Sequence, residues 1–146
     1  MVLERLVGGS ERIGLLIDGP NVFREEFDVE FGTLREIATA RGQLAAARCY
    51  FDVNATTGLI QAAEAHGFEV VVTSGDVDVR LAVDAAELTV DADIDVLVIA
   101  SRDMDFKPVL EAANRRGVRT VAVAAGAHGR SEALPNVADE ALTLGE

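Results

Sequence analysis

The sequence predicts a single α/β domain, built on a doubly wound, mainly parallel sheet of five to six strands with helices on both faces. Apolar runs of strand length recur along the chain, helical patterns stand between them, and glycines follow several of those helices. Continuous apolar strands that alternate with helices are typical of a parallel sheet whose two faces are both covered. Right-handed crossovers between such strands make the sheet doubly wound.

The predicted elements follow one another from residue 13 to the end of the chain. Residues 1–12 are predicted to be a flexible N-terminal tail, and residues 13–146 one domain. After the last predicted strand come a loop, a short helical turn near Ser131 and an apolar patch at Ala141 and Leu142. The predicted strands are 13–17, 45–51, 68–72, 95–100 and 118–124, and the predicted helices are 34–41, 57–66, 77–90 and 106–116.

The composition fits a globular, cytoplasmic protein of one domain. Its 146 residues are 49% hydrophobic, which is enough to bury a sizeable core. There is no run of about 18 apolar residues, so no membrane span is predicted, and the N-terminus does not resemble a secretory signal. Cys49 lies in an apolar run, where we expect a buried and inert thiol, and a single cysteine suits a reducing compartment.

The charge of the chain is strongly negative. The net charge is −12, and Lys107 is the only lysine among 13 basic residues. A surface rich in acids and poor in lysine suits a salt-rich cytoplasm, where ionic strength screens self-repulsion, so we expect a halophilic source. The same charge argues against a nucleic-acid partner held by a broad basic face.

Acidic residues collect where the predicted strands end. Asp18 ends the first strand, Asp76 and Asp78 follow the third, and Asp103 and Asp105 follow the fourth. In open parallel sheets, ligands bind outside the carboxyl ends of the strands, at the point where the winding reverses. The sequence therefore predicts a site at this edge.

Asp84 is a further candidate because of its position on the third predicted helix. Leu81, Ala85 and Leu88 form an apolar stripe there, and Asp84 lies between the edges of that stripe. A carboxylate that faces a core must be paired or bound to a cation. We expect the helix to turn Asp84 toward Asp18 and Asp103; pairing with Arg80, four residues earlier, is the alternative.

Several carboxylates that converge on one point stay ionised together only with a counter-charge. Mg²⁺ or Mn²⁺ supplies that charge, prefers oxygen ligands, and can polarise a phosphate and activate water. No nucleophile elbow, P-loop or dinucleotide fingerprint is present. Structural roles stay open, because Asp78 and Asp105 suit helix N-caps, Asp103 suits a turn, and 18–21 suits a turn as well.

Three ordered motifs resemble the NYN domains of the PIN-like nuclease superfamily, and in particular an archaeal branch of uncharacterised proteins. These motifs are Ile17-Asp18-Gly19-Pro20-Asn21, Val77-Asp78-Val79-Arg80-Leu81-Ala82-Val83-Asp84 and Ser101-Arg102-Asp103-Met104-Asp105-Phe106. The segment from Ser131 to Asp139 also resembles the closing segment of the family. The resemblance covers about residues 12–145.

The resemblance implies a metal-dependent ribonuclease that uses Mg²⁺ or Mn²⁺ and leaves a 5′-phosphate and a 3′-hydroxyl. Asp18, Asp84, Asp103 and Asp105 would match the acidic quartet and bind the metal, with Asn21, Asp78 and Ser101 in support. Many relatives have Ser-Gly-Asp in place of Ser101-Arg102-Asp103, and many have a lysine where this chain has Gly75-Asp76. The cations beside the acidic motifs are predicted to bind RNA phosphate instead, and these are Arg24, Arg80, Arg102 and Lys107.

Two other hypotheses remain open at this point. The first is a PIN-like module that binds RNA or a protein without cutting, and a homodimer is possible in either case. The second is a Toprim-like Mg²⁺ enzyme, because Asp103 and Asp105 have its DxD spacing. Toprim chemistry expects a glutamate after the first strand, where this chain has Asp18.

Overall fold

The computed structural model describes residues 11–24, 28–91, 93–102, 106–126 and 137–144. Within these ranges the chain forms six strands and five helices. The strands are β1 (Arg12–Asp18), β2 (Gln43–Asp52), β3 (Glu69–Thr73), β4 (Val96–Ala100), β5 (Arg119–Ala125) and β6 (Glu140–Leu144). The helices are α1 (Gly19–Val22), α2 (Phe31–Thr39), α3 (Thr57–Ala65), α4 (Val77–Val90) and α5 (Lys107–Arg115).

The six strands form one sheet in the order β3-β2-β1-β4-β5-β6, and every neighbouring pair is parallel. The chain first moves outward from β1 to β3, then returns to β4 beside β1 and moves outward again to β6. The predicted doubly wound α/β fold is therefore confirmed. The winding reverses between β1 and β4, and this is where ligands bind in sheets of this type.

The core has two layers because successive side chains of a strand point to opposite faces of the sheet. Ile13, Leu15 and Ile17 of β1 lie in a cluster with residues of α2 and α3, whereas Leu16 lies in a cluster with residues of α4 and α5. Cys49 is fully buried and free, and burial raises the pKa of its thiol, so it is the inert thiol that was predicted.

Glycines follow the helices as predicted. Gly67 and Gly117 come shortly after α3 and α5 and have φ values of 85° and 82°. This left-handed conformation is easy for glycine and costly for residues with a Cβ, so it ends a helix and redirects the chain toward the next strand. None of the helices in the described ranges is long and apolar enough to cross a membrane.

The elements differ from the predicted ones mainly at their ends. Helix α2 begins at Phe31 rather than Leu34, because the Phe31 ring is buried in the core and extends the helix by one turn. The segment after Asp18 forms the short helix α1. The predicted apolar patch at 141–142 belongs to strand β6, which pairs with β5. The predicted tail is too long at its end, because Arg12 pairs with Gln43 and begins β1. Residues 1–10 of that tail and the predicted turn near Ser131 lie outside the described residues.

Candidate functional site

Asp18 ends β1 at the point where the winding of the sheet reverses. Its side chain is buried, and both of its carboxylate oxygens accept hydrogen bonds. The Asn21 backbone N–H donates to Oδ1 at 3.4 Å, and the Ser101 hydroxyl donates to Oδ2 at 3.1 Å. Ser101 directly follows β4 and is itself buried. The two central strands therefore place a fixed carboxylate at the carboxyl edge of the sheet.

Gly19 allows α1 to begin directly after Asp18. A Cβ at this position would lie 2.4 Å from the Phe51 ring and 2.5 Å from the carbonyl oxygen of Tyr50. Only glycine fits such a close approach to β2 without movement of the backbone. Pro20 follows in the first turn, where its fixed φ favours the helix. The Asp18-Gly19-Pro20-Asn21 motif thus turns the chain sharply beside the carboxylate.

Asn21 connects this turn to the segment that follows β4. Its side-chain Oδ1 accepts a hydrogen bond of 2.8 Å from the Arg102 backbone N–H. Ser101 and Arg102 thereby bring the chain after β4 next to α1 and Asp18. Asp103 and Asp105 follow directly in the sequence but lie outside the described residues.

A cleft with a volume of about 330 Å³ opens beside Asp18. Residues at the ends of three neighbouring strands line this cleft. Asp18 ends β1, Asp52 ends β2, and Asp76 lies between β3 and α4. Four aspartates and one arginine are among the residues around it. The lining consists of Asp18, Pro20, Asn21, Arg24, Asp52, Gly75, Asp76, Val77 and Asp78.

The two aspartates at the start of α4 have different positions. Asp76 is the N-cap residue and makes no side-chain capping bond. Asp78 lies in the first turn, and its Oδ1 accepts from the Val79 backbone N–H at 3.0 Å. A negative charge in the first turn is favoured by the helix dipole. Asp78 is therefore not the N-cap, and its carboxylate lines the same cleft as Asp18.

Asp84 has a different set of partners from the predicted one. It is buried as expected, and the Tyr50 hydroxyl donates to its Oδ2 at 2.7 Å. Arg48 Nη1 lies 3.5 Å from Oδ2, and Arg80 Nε lies 3.4 Å from Oδ1. Burial and the bond to Asp84 both raise the pKa of Tyr50, which keeps the phenol protonated as the donor.

Asp84 is consequently not among the residues that line the cleft. Pairing with Arg80, the alternative to a site role, is present, and Arg48 and Tyr50 add to it. The physical reason is that α4 packs its Asp84 side onto β2, where Arg48 and Tyr50 point to the same face. Tyr50 of β2 pairs with Asp18 of β1 in the sheet. Asp84 is therefore connected to the cleft residue Asp18 through one intervening residue, Tyr50.

The four basic residues predicted to bind RNA phosphate lie at different positions in the structure. Arg24 lines the cleft, and its Nε donates to the Pro20 carbonyl at 3.3 Å. Arg80 is half-exposed and lines a second groove, next to the cleft, that shares Gly75 and Asp76 with it. Arg102 is partly buried, and Lys107 is exposed at the first position of α5.

The donors around the cleft suit a hard cation. Carboxylate oxygens from Asp18 and Asp78 and the amide oxygen of Asn21 are the ligand types that Mg²⁺ and Mn²⁺ prefer. Within 11–24, 28–91, 93–102, 106–126 and 137–144, no group of three or more His, Cys, Asp or Glu residues is placed to hold an ion. A complete acidic set would need Asp103 and Asp105.

Sequence reasoning missed Asp52. It directly follows the apolar run of the second strand, so the rule that identified Asp18 could have found it. Its Oδ1 accepts a hydrogen bond of 2.9 Å from the Asn54 backbone N–H, which also makes it a turn residue.

Comparisons with known proteins agree with this fold. The uncharacterised protein MJ0482 of Methanocaldococcus jannaschii is 41% identical over 138 residues, which are 94% of this chain and 57% of that protein. The chain thus spans little more than half the length of this archaeal relative. A Vibrio parahaemolyticus protein of unknown function, VPA0982, has a similar crystal structure, with a TM-score of 0.80 at 22% identity over 93% of this chain and 94% of the other. The sequence profile of the NYN domain matches residues 12–145, and the chain belongs to the NYN domain family.

Proposed function

We propose that this chain is a metal-dependent ribonuclease that hydrolyses RNA phosphodiesters at the cleft beside Asp18. The observation that carries the proposal is the position of this buried carboxylate at the reversal of the winding, held by Ser101 and Asn21, with further aspartates around the same cleft. Membership of the NYN family, which belongs to the PIN-like nucleases, supports the same activity.

The proposed metal ligands are Asp18, Asp103 and Asp105, as the resemblance implies, together with Asp78. Asp78 takes the fourth position in place of Asp84, because Asp78 lines the cleft whereas the oxygens of Asp84 contact Tyr50 and two arginines. A bound Mg²⁺ or Mn²⁺ would polarise the scissile phosphate and lower the pKa of a water. Ser101 and Asn21 orient the Asp18 carboxylate, which limits the motion of one ligand before substrate binds.

RNA is the proposed substrate in spite of the net charge of −12. Arg24 in the cleft, and Arg102 and Lys107 on the segments after β4, would contact phosphates flanking the scissile one. Contacts of this kind are independent of sequence and weaken with salt. A small local set of cations serves a short single strand better than a long duplex.

A binding module that does not cut is the second candidate. The observation in its favour is that the described residues alone supply no group of three acids placed to hold an ion. In that case Asp18 would serve to cap α1, and RNA would be held by the cations beside the cleft.

The test is cleavage of labelled RNA in Mn²⁺ or Mg²⁺ by the parent and by Asp18→Asn, Asp78→Asn and Asp103→Asn. We expect each variant to lose more than about 100-fold in rate, because even outer partners of a bound metal contribute about 10- to 100-fold. Asp93→Asn is the matched control, since Asp93 is exposed and precedes β4 at the opposite end of the strands. Products should carry a 5′-phosphate.

Thermal unfolding separates the two candidates without relying on activity. Mn²⁺ should raise the melting temperature of the parent but not that of Asp103→Asn, because only a ligand of the folded state stabilises it. Without metal, Asp103→Asn should melt at the same or a higher temperature, since one of several repelling charges is removed. If Mn²⁺ shifts neither protein and no RNA is cut, the binding module is the correct function.

A further inference from the structure

Helix α4 is apolar on two opposite faces. Leu81 and Ala85 face the core and are fully buried. The opposite face carries three valines that are half-exposed or more, namely Val79 at 57%, Val83 at 50% and Val90 at 56%. Ala86 lies between them and is also exposed. We call Val79, Val83, Ala86 and Val90 the outer seam.

The outer seam has the spacing of a helix-pairing surface. Its residues follow one another at intervals of four, three and four positions, which is the a/d pattern of a coiled coil. At about 100° per residue they fall within an arc of roughly 60°, opposite the face that packs on the sheet. Scattered exposed valines need no explanation, but an aligned row of them on a helix already packed on its other side indicates a second interface.

We propose that the outer seam binds the outer seam of a second copy of this chain, with the two α4 helices antiparallel across a two-fold axis. A two-fold interface uses the same patch on both subunits, so the patch must be self-complementary. The antiparallel arrangement satisfies this condition, because Val79 then faces Val90 of the second copy and Val83 faces Ala86 of the second copy. This interface does not depend on the proposed ribonuclease activity.

The charges beside the seam support the antiparallel direction. Arg80 and Glu87 lie on the same side of the seam, seven residues apart. Antiparallel pairing places Arg80 opposite Glu87 of the second copy, and the two-fold axis repeats the contact. Arg80 uses Nε for Asp84, and its guanidinium has further N–H donors that can reach outward. In a parallel pair the residues opposite Arg80 would carry no charge.

The shape of the surface also fits. A groove with a volume of about 360 Å³ lies at the Val79 end of the seam, between the end of the edge strand β3 and α4. In the antiparallel pair the Val90 end of the other helix lies against this groove. The lining of the groove is Thr73, Gly75, Asp76, Val79, Arg80 and Val83.

A second copy suits this surface better than RNA does. Single-stranded nucleic acid is bound by aromatic side chains on which bases stack, together with a track of cations. The outer seam consists of three valines and an alanine, and Glu87 and Asp91 lie beside it. The outer seam is also separate from the cleft, because none of its four residues is among those that line the cleft.

The first test is the mass of the intact chain in solution, measured by light scattering. The parent should run at twice 15.5 kDa. Val83→Glu/Ala86→Glu and Val83→Lys/Ala86→Lys should each raise the dissociation constant by at least about 100-fold, because like charges then face each other across the axis. An equimolar mixture of the two variants should recover the dimer. Val53→Glu, at a position 66% exposed outside α4, should leave the mass unchanged.

The second test fixes the direction of the helices by disulfide formation. A mixture of Val79→Cys and Val90→Cys should crosslink between these positions, whereas Val79→Cys alone should not, because its two cysteines would lie about 16 Å apart along the axis. Cys49 is buried and does not compete. A parent that stays at 15.5 kDa up to about 1 mM, or a dimer that survives both charged pairs, overturns the proposal. If a charged pair of substitutions abolishes RNA binding but leaves the mass of the protein unchanged, the dimer proposal is overturned too and the seam is assigned to RNA.

Discussion

Asp18 and Asp84 are both buried aspartates near the middle of the sheet, and their partners give them different roles. The described donors to Asp18 are a hydroxyl and a backbone N–H from segments that border the cleft. Asp84 contacts Tyr50 and the guanidinium groups of Arg48 and Arg80. Cationic partners stabilise a buried carboxylate where it stands, so these contacts account for the burial of Asp84 without a bound ion.

The residue scale also shows how far the sequence could predict the site. The carboxyl-edge rule for parallel sheets predicts the position of Asp18, whereas Asn21 and Ser101 are expected beside it only through the resemblance to the NYN family. For Asp84 the sequence shows only Arg80, four residues away on the same helix. Arg48 and Tyr50 lie more than 30 residues earlier and reach Asp84 only through the packing of α4 on β2, and such tertiary contacts leave no periodic signal in the sequence.

The role of Asp84 can be tested by Asp84→Asn in urea unfolding without metal. We expect the free energy of unfolding to fall by about 1–3 kcal/mol, because asparagine still accepts from Tyr50 but leaves the partly buried Arg48 with a weaker counter-charge. Glu69 also pairs with Arg48, which limits the loss. Asp93→Asn should change the stability by less than about 0.5 kcal/mol. An Asp84→Asn variant that is more stable than the parent would place Asp84 in a repulsive acidic cluster and restore the predicted quartet.

At the scale of elements, burial decides how well the sequence predicts the structure. The predicted helix 77–90 matches α4 (Val77–Val90) at both ends, because its core stripe is regular. The buried strands were located to within one or two residues. Strand β6 appeared only as an apolar patch, because it is a short edge strand whose residues are half-buried or exposed. Its place depends on contacts from distant segments.

One of those contacts is the ion pair between Arg41, just after α2, and Glu140 of β6. Arg41 Nε and Nη2 donate to the two carboxylate oxygens at 3.1 and 2.5 Å. Its Nη1 also donates to the Ile37 carbonyl, which fixes the guanidinium at the end of α2. A bidentate, partly buried arginine–carboxylate pair of this kind is stronger than an ordinary surface ion pair.

We therefore expect Arg41→Gln to loosen β6 selectively. The free energy of unfolding should fall by about 1 kcal/mol, and amide hydrogen exchange should accelerate at residues 141–144. Exchange in β4, in the middle of the sheet, should accelerate less, because β6 is at the edge and opens first. Arg116→Gln, at an exposed arginine after α5, is the control. Equal acceleration in β4 and β6 would show that the ion pair does not act on β6 in particular.

At the scale of the whole molecule, the dominant property is charge. The chain carries 25 acidic residues against 13 basic ones. Four of the acids surround the cleft, and others such as Glu36, Glu64 and Glu87 are exposed on helices, so the excess of negative charge produces repulsion across the surface. Such repulsion favours the expanded chain at low ionic strength. The prediction of a halophilic source depends on this balance and can be tested on the purified protein.

The thermal midpoint of unfolding should rise with NaCl, and most of the rise should occur below about 1 M. The Debye length falls from about 10 Å at 0.1 M salt to about 3 Å at 1 M, so repulsion between surface acids is screened in this range. The variant Glu36→Gln/Glu64→Gln/Asp93→Asn removes three exposed negative charges from the net of −12, all outside the cleft and the outer seam. It should melt at a higher temperature than the parent at low salt and gain less from added NaCl, so that the two curves approach each other in concentrated salt. An equal gain in both proteins would mean that salt acts by strengthening the burial of apolar surface rather than by screening charge.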